Sequence, residues 1–290
     1  MTAIEETAWA KLNLALHVTG QRDDGYHQLE SLVTFADFGD RLSIRSEPED
    51  SLSIDGEFAG GVPKDASNLV VRARDHLRRL AETDGHSTPP VGLHLEKQLP
   101  AASGIGGGSA DAAACLRGLT RHWKLPEDLL DPVDLATALG ADVPMCLLSK
   151  PLIAGGIGEE LSTVAWLPPL PVLAVNPLVP VSTPDVFSRL QNKINPALPF
   201  QHTTRPEDLM DLLHCLRNDL QMPAMELASE IATVLTVLEA HKPLLQRMSG
   251  SGATCFALFE SLETAQLAAR TLKDQYPQWW VRSGMTRTMT

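Results

Sequence analysis

Apolar and polar residues alternate from Trp9 to Val18. Leu12, Leu14, Leu16 and Val18 fall on one face, and Lys11, Asn13 and His17 on the other. That two-residue period predicts a half-buried strand. Residues 20–25 carry turn chemistry. Residues 29–38 read as the returning strand, and residues 41–54 as two more short strands about a polar turn at 47–50. The period then changes. Leu69, Val70, Ala73, Leu77 and Leu80 follow helical spacing, with Asn68 as N-cap and Gly85 as stop. Residues 91–97 read as a strand, residues 109–123 as a helix ending before Pro126, and residues 132–139 as a short helix closed by Gly140. Residues 140–144 are expected to form a tight loop carrying one carboxylate, Asp142. A proline-rich stretch, 166–206, surrounds a strand at 172–175. Helices are expected at 206–220 and 225–241. A second glycine loop at 248–253 leads into a strand at 254–259, a helix at 262–276 and a last strand at 279–283. Early antiparallel strands followed by mixed elements place the chain in the α+β class.

Between the strand at 91–97 and the helix after it, residues 100–114 read Pro-Ala-Ala-Ser-Gly-Ile-Gly-Gly-Gly-Ser-Ala-Asp-Ala-Ala-Ala. Gly104, Gly106, Gly107 and Gly108 lack a Cβ, so main-chain N–H groups can approach a ligand closely. The helix start adds the positive end of its dipole. Together these make an anion cradle, suited above all to phosphate. Ser109 adds a hydroxyl able to donate to phosphate or to ligate Mg²⁺. The segment lacks the Gly-Lys-Ser/Thr ending of a Walker A loop, and Ser109 replaces the third glycine of a dinucleotide fingerprint. A glycine-rich turn capping an ordinary helix is the alternative left open by this segment alone.

Composition narrows the class. Hydrophobic residues are 43% and charged residues 21% of the 290, enough to form a core without staples, and the length suits two domains. A formal net charge of −12, with no long Lys/Arg run, argues against nucleic acid as a partner. A single nucleotide held by N–H groups is still permitted. Cys115, Cys146, Cys215 and Cys255 form no Cys-x-x-Cys pair and sit among apolar neighbours. Buried free thiols in a reducing cytosol are expected, and no zinc site. Residues 1–7 are acidic without an apolar core, and no apolar run is long enough to span a bilayer. A cytoplasmic protein with no membrane partner is expected.

Three separated motifs resemble the small-molecule kinase family named for galactokinase, homoserine kinase, mevalonate kinase and phosphomevalonate kinase. They are Ala10-Lys11-Leu12-Asn13-Leu14, residues 100–114, and Met248-Ser249-Gly250-Ser251-Gly252-Ala253. Gly25-Tyr26-His27, Asn68-Leu69-Val70, Leu139-Gly140-Ala141-Asp142-Val143-Pro144, Gly156-Ile157-Gly158-Glu159 and Asn218-Asp219-Leu220 sharpen the resemblance. They point to the branch acting on a cytidine-diphosphate-linked sugar alcohol. The similarity spans nearly the whole chain. It implies a two-lobed α+β fold with an active-site cleft between the lobes, residues 1–161 binding ATP and residues 162–290 on the substrate side. It also implies phosphorylation by ATP of the 2-hydroxyl of a cytidine-diphosphate-linked methylerythritol, on the mevalonate-independent route to isoprenoid precursors.

The resemblance assigns roles residue by residue. Asp142 is implied as the base that accepts the proton of the attacking hydroxyl. Lys11, beside it, would keep Asp142 ionised and face the transferring phosphoryl group. Pro100, Ala101, Ala102, Ser103, Gly104, Ile105, Gly106, Gly107, Gly108, Ser109 and Ala110 are the implied ATP cradle, with Ser109 the implied Mg²⁺ ligand. Asn68 stands at the position reading the adenine edge, and a plain N-cap role fits it equally well. Lys97 reads better as a solvated strand-end lysine than as an ATP contact. Tyr26, His27 and Phe187 are the candidates for holding cytosine, by stacking and by an imidazole hydrogen bond. Core packing explains Phe187 as well. Asn13 is placed to meet the substrate's polar tail, with Thr183 as a weaker helper. Ser249, Gly250 and Gly252 are expected to support the phosphate pocket or the substrate diphosphate. Many relatives carry Ser-Ser where this chain has Ser109-Ala110, which removes one hydroxyl. Competing readings are another kinase of the family, a non-catalytic ligand sensor on the same fold and a nucleotide-binding interaction protein. Retention of Lys11 and Asp142 speaks against the sensor.

Overall fold

Two long strands set the frame: β1 (Ile4–Gln21) and β2 (His27–Ser46), paired with each other. The computed structural model describes residues 3–101, 103–199 and 208–289. Residues 10–18 of β1 are all buried, so Lys11, Asn13 and His17 are as enclosed as the leucines opposite. The strand expected to be half-buried is buried on both faces. Polar side chains in such a place need partners. His17 accepts from the Arg217 N–H at Nε2 (3.3 Å) and donates from Nδ1 to the Pro196 carbonyl (3.0 Å). Burial lowers its pKa, and the neutral ring fits both bonds.

Packing divides the chain into two compact units that interleave along the sequence. One takes the chain up to Ala10, Phe38–Ala101 and Gly106–Leu148; the other takes Lys11–Asp37, a short segment ending at Ile105 and the chain from Ser149 onward.

In the first unit the later part of β2 pairs antiparallel with β4 (Val91–Glu96), Arg41 opposite Glu96. β4 pairs in parallel with β3 (Ser51–Asp55), Ser51 opposite Gly92. The separate strand expected after residue 41 is instead the continuation of β2. Gly39 marks a close approach within the continuous strand: a Cβ there would run into the Ala8 main chain. Val91, Leu93 and Leu95 alternate inward on β4. Four helices follow the pattern read from sequence with two changes. α1 (Leu69–Thr83) starts at the expected cap, and α3 (Pro132–Leu139) is capped by Asp131. α2 (Gly107–Trp123) begins at Gly107 rather than Ser109. The loop expected at 140–144 is broken by α4 (Asp142–Leu148), which Asp142 opens. Gly140 ends α3, and Pro144 lies in the first turn of α4, where its missing N–H costs nothing. Ala112, Ala113 and Ala114 are fully buried, so α1 and α4 pack close against α2. Arg117 of α2 reaches the carbonyls of Cys146 and Thr7, each at 2.9 Å.

In the second unit the earlier part of β2 pairs with β5 (Leu152–Gly155), Val33 opposite Leu152, and β5 turns into β6 (Glu160–Thr163). A four-stranded antiparallel sheet joins β7 (Pro171–Asn176), β8 (Leu245–Met248), β9 (Cys255–Leu258) and β10 (Trp280–Met285) in the order β10-β7-β9-β8. The helices are α5 (Thr183–Ser188), α6 (Leu209–Cys215), α7 (Gln221–Leu227), α8 (Glu230–Glu239) and α9 (Leu262–Gln275). Leu173, Val175 and Phe259 pack with Ile231, Val234, Leu238 and Leu272 in the core. Each such side chain contributes roughly 1.5–3 kcal/mol on burial.

Several expectations change here. The helix expected at 225–241 is two helices, α7 and α8, separated by the extended backbone of Ala228. The helix expected at 206–220 is α6 alone, its expected start lying outside the described residues. Beyond Cys215 the chain extends beside β1: the Leu16 N–H donates to the Arg217 carbonyl, and the Asp219 N–H to that of Leu16, each at 2.9 Å. β5, β6, β8 and α5 are short elements that the sequence did not announce. Cys215 is exposed, whereas Cys115, Cys146 and Cys255 are buried as expected. Among the described residues no helix is long and apolar enough to cross a membrane.

Candidate active site

The second unit brings β1 and two glycine loops onto one side chain. Ser249 is fully buried. Its Oγ accepts the Asn13 N–H (3.0 Å) and donates to the Gly104 carbonyl (3.0 Å). Around it, the Thr254 N–H donates to the Ser103 carbonyl (3.1 Å) and the Lys11 N–H to the Ile105 carbonyl (2.9 Å). Gly104 (φ +76°) and Gly250 (φ +56°) meet main chain to main chain: a Cβ on Gly250 would stand 2.8 Å from the Gly104 oxygen. Neither position accepts a side chain without strain. The Asn218 amide donates to the carbonyls of Met248 and Gly250, each at 2.8 Å, and holds the second loop from behind.

Lys11 and Asn13 project from the same face of β1, one pleat apart. Lys11 is 6% and Asn13 3% exposed. Asn13 Nδ2 donates to Ser31 Oγ (2.7 Å), whose own hydroxyl donates to the Ala15 carbonyl (2.6 Å). That chain fixes the amide orientation and leaves Asn13 Oδ1 as a buried acceptor without a partner. Leaving such an acceptor unmatched costs about 1–3 kcal/mol, and a hydroxyl donor would relieve it.

The candidate base site lies in the same unit. The rings of His27 and Phe187 are stacked at 4.8 Å with 24° between their planes. That spacing leaves no room for a third ring between them, so a base would stack on an outer face. Phe187 also packs against the core, which is the core-packing reading of this residue. Burial, helped by the Lys193 charge, lowers the His27 pKa, and its Nε2 is buried without a partner. Thr183, one helical turn before Phe187 on α5, is bonded to Ser251 Oγ (2.7 Å). Tyr26 is 61% exposed beside the turn at Arg22–Gly25.

The first unit holds the other candidates. Asn68 caps α1: its Oδ1 accepts the Val70 N–H (2.8 Å), and its Nδ2 donates to the Pro63 carbonyl (2.6 Å). These two bonds use one amide hydrogen and one lone pair of the Asn68 side chain. Pro100 and Ala101 lead into the glycine loop, whose Ala102 lies outside the described residues. Gly106 caps α2 in the left-handed region (φ 67°), and Gly107, Gly108, Ser109 and Ala110 form its first turn. Asp142 is half-buried at the start of α4.

Lys97 differs most from expectation. It is not solvated: 5% of its side chain is exposed, and its ammonium bonds to Asp40 and, at 2.6 Å, to Asp111. Burial works against its charge, but Asp111 and Asp40 outweigh this and raise its pKa. Burial raises the pKa of Asp111, with Lys97 pulling the other way. Strand-end position alone gave no sign of two inward carboxylates, one of them far away on β2. Arg247 was also missed. It is buried and donates to the carbonyls of Leu14, Leu213 (2.9 Å) and Leu216 (2.6 Å), and burial lowers its pKa to about 10.

The sequence pattern of the GHMP kinases N terminal domain matches residues 68–150, and that of the GHMP kinases C terminal region matches residues 196–278. The chain belongs to the GHMP kinases, ATP-dependent phosphotransferases of mixed helix and sheet. More particularly, it is 53% identical to the 4-diphosphocytidyl-2-C-methyl-D-erythritol kinase of Rhizobium johnstonii, covering 98% of this chain and 94% of that one. It is 52% identical to the enzyme of the same name from Agrobacterium fabrum, over 99% and 97%. A crystal structure of 4-(cytidine 5'-diphospho)-2C-methyl-D-erythritol kinase superposes with a TM-score of 0.81 at 32% identity, over 98% of this chain and 99% of that one. Homoserine kinase from Cytophaga hutchinsonii shares the fold, with a TM-score of 0.69 at 18% identity, over 100% and 96%.

Proposed function

We propose that this kinase transfers the terminal phosphoryl group of ATP to the 2-hydroxyl of 4-diphosphocytidyl-2-C-methyl-D-erythritol, on the mevalonate-independent route to isoprenoid precursors. The observation that carries the reading is identity above one half, over nearly the whole chain, to kinases of that name. The stacked His27–Phe187 pair and the open acceptor on Asn13 support it. We keep residues 1–161 as the ATP-binding lobe and 162–290 as the substrate-side lobe within this proposal, and we place the enzyme in the cytoplasm.

The residues divide the chemistry. Asp142 accepts the proton of the 2-hydroxyl as its oxygen attacks phosphorus and the bond to ADP breaks. Lys11 offsets the charge on the transferring group. N–H groups of Gly106–Gly108 and the positive end of α2 hold the phosphates. Asn68 reads adenine. Asn13 Oδ1 accepts from a hydroxyl of the erythritol part. Cytosine stacks on the His27–Phe187 pair near Tyr26, and a neutral His27 offers it one hydrogen bond. Mg²⁺ would be held at the Ser109 hydroxyl and would offset negative charge on the transferring phosphoryl group. Among the described residues no cluster of three or more His, Cys, Asp or Glu offers a cage for the metal alone.

A coupled ADP-release assay over a panel of alcohols tests the reading. The cytidine-diphospho sugar alcohol is expected to be the strongly preferred acceptor. Preference for homoserine, mevalonate or phosphomevalonate would replace this function with another of the same family. For the base site, Phe187→Ala is expected to raise the acceptor KM by roughly one to two powers of ten, with the KM for ATP little changed. Losing one stacking face is worth about 1–3 kcal/mol. Equal effects on both substrates would place the base elsewhere.

A further inference from the structure

We propose that Asp40, Lys97 and Asp111 form a bracket that fixes both ends of the glycine-rich loop for the phosphates of ATP, with Lys97 as a positioning residue. The proposal rests on the kinase reading above. Asp40 Oδ1 accepts the main-chain N–H groups of Gln98 (2.5 Å) and Leu99 (2.8 Å), which enter the loop. Its other oxygen accepts from the Lys97 ammonium, which also donates to Asp111 Oδ2 (2.6 Å) on α2, which leaves the loop. The triad lies directly beneath the first residue of α2: a Cβ on Gly107 would stand 3.7 Å from Lys97 Nζ and 3.9 Å from Asp40 Oδ2.

No side chain of the three is more than 5% exposed. With its ammonium enclosed between two carboxylates, Lys97 is withheld from a nucleotide. Nor does stability alone call for the arrangement. A buried ion cluster is commonly no more stabilising than apolar side chains of the same volume, and Asp111 Oδ1 is buried without a partner. What charged hydrogen bonds add over apolar contact is direction. Here they fix the angle between the exit of β4 and the axis of α2, and with it the aim of the N–H groups at Gly106–Gly108. Groups aimed in advance bind without being ordered by the ligand.

The test uses the full chain and three variants, Lys97→Met, Asp111→Ala and Asp111→Asn. Calorimetric titration with ATP alone is combined with KM for ATP and for the acceptor, and near-UV circular dichroism reports folding. Lys97→Met and Asp111→Ala are expected to weaken ATP binding about 10- to 100-fold, with the acceptor KM within about twofold of wild type. In Asp111→Asn the amide oxygen still accepts from Lys97, and most of the ATP affinity should return. Folded variants that bind ATP like wild type, or that lose both substrates equally, would overturn the bracket. So would failure of both Lys97→Met and Asp111→Ala to fold, which would make the triad a folding element. A wild-type protein that binds ATP but transfers no phosphate would sink the kinase reading instead, with the bracket still measured by calorimetry.

Discussion

Asp142→Asn is expected to lower turnover by about two to four powers of ten while ATP binding stays close to wild type. An alcohol attacks phosphorus poorly while it holds its proton, and a positioned carboxylate that accepts the proton is worth about that much. An amide keeps the shape and cannot accept it. Asp142 opens a short helix behind Gly140, and asparagine is tolerated at a helix start, so the variant should fold. Single-turnover phosphoryl transfer and ATP titration on the same preparation separate the two effects. Near-normal transfer would remove Asp142 from the role of base.

Gly104→Ala is expected to abolish activity and to destabilise the protein by about 3 kcal/mol. A left-handed backbone costs an L-residue roughly 1–2 kcal/mol, and forcing a methyl into packed main chain costs a further 1–3 kcal/mol or so. At Gly104 (φ +76°) the new Cβ would run into the carbonyl of Ser249. Gly85→Ala supplies the comparison: its φ is +82° with nothing within 4 Å of the added methyl. It should show the backbone cost alone and keep full activity. Thermal midpoints and turnover for the pair check this. A Gly104→Ala protein as stable as Gly85→Ala would mean that the loops can part without loss.

Local pattern carried much of the fold and certain parts of the site. Helical spacing with Asn68 at its head gave α1, because capping and amphipathicity act within a few residues. The glycine cluster gave the start of α2 to within a turn. What failed depended on partners remote in sequence. Nothing near residue 39 says that its glycine accommodates the Ala8 main chain, so one strand was read as two. Nothing near Lys97 announces Asp40, so a buried ion bridge was read as a solvated lysine. The alternation of β1 was read correctly, but its polar face was assigned to water because a period of two gives the faces and not what covers them. Ser249 was placed in a supporting loop. Its bonds to Asn13 and Gly104 became visible only with the chain folded.

Because Gly104 and Gly250 touch through backbone alone, neither loop can be retuned by choosing a better side chain. For anyone redesigning acceptor preference, this separates two kinds of position. Gly104 and Gly250 belong in the invariant part of a library, where nearly every substitution would yield an inert member. His27, Thr183 and Phe187 meet their surroundings through side chains, and there diversity has room to produce a new specificity.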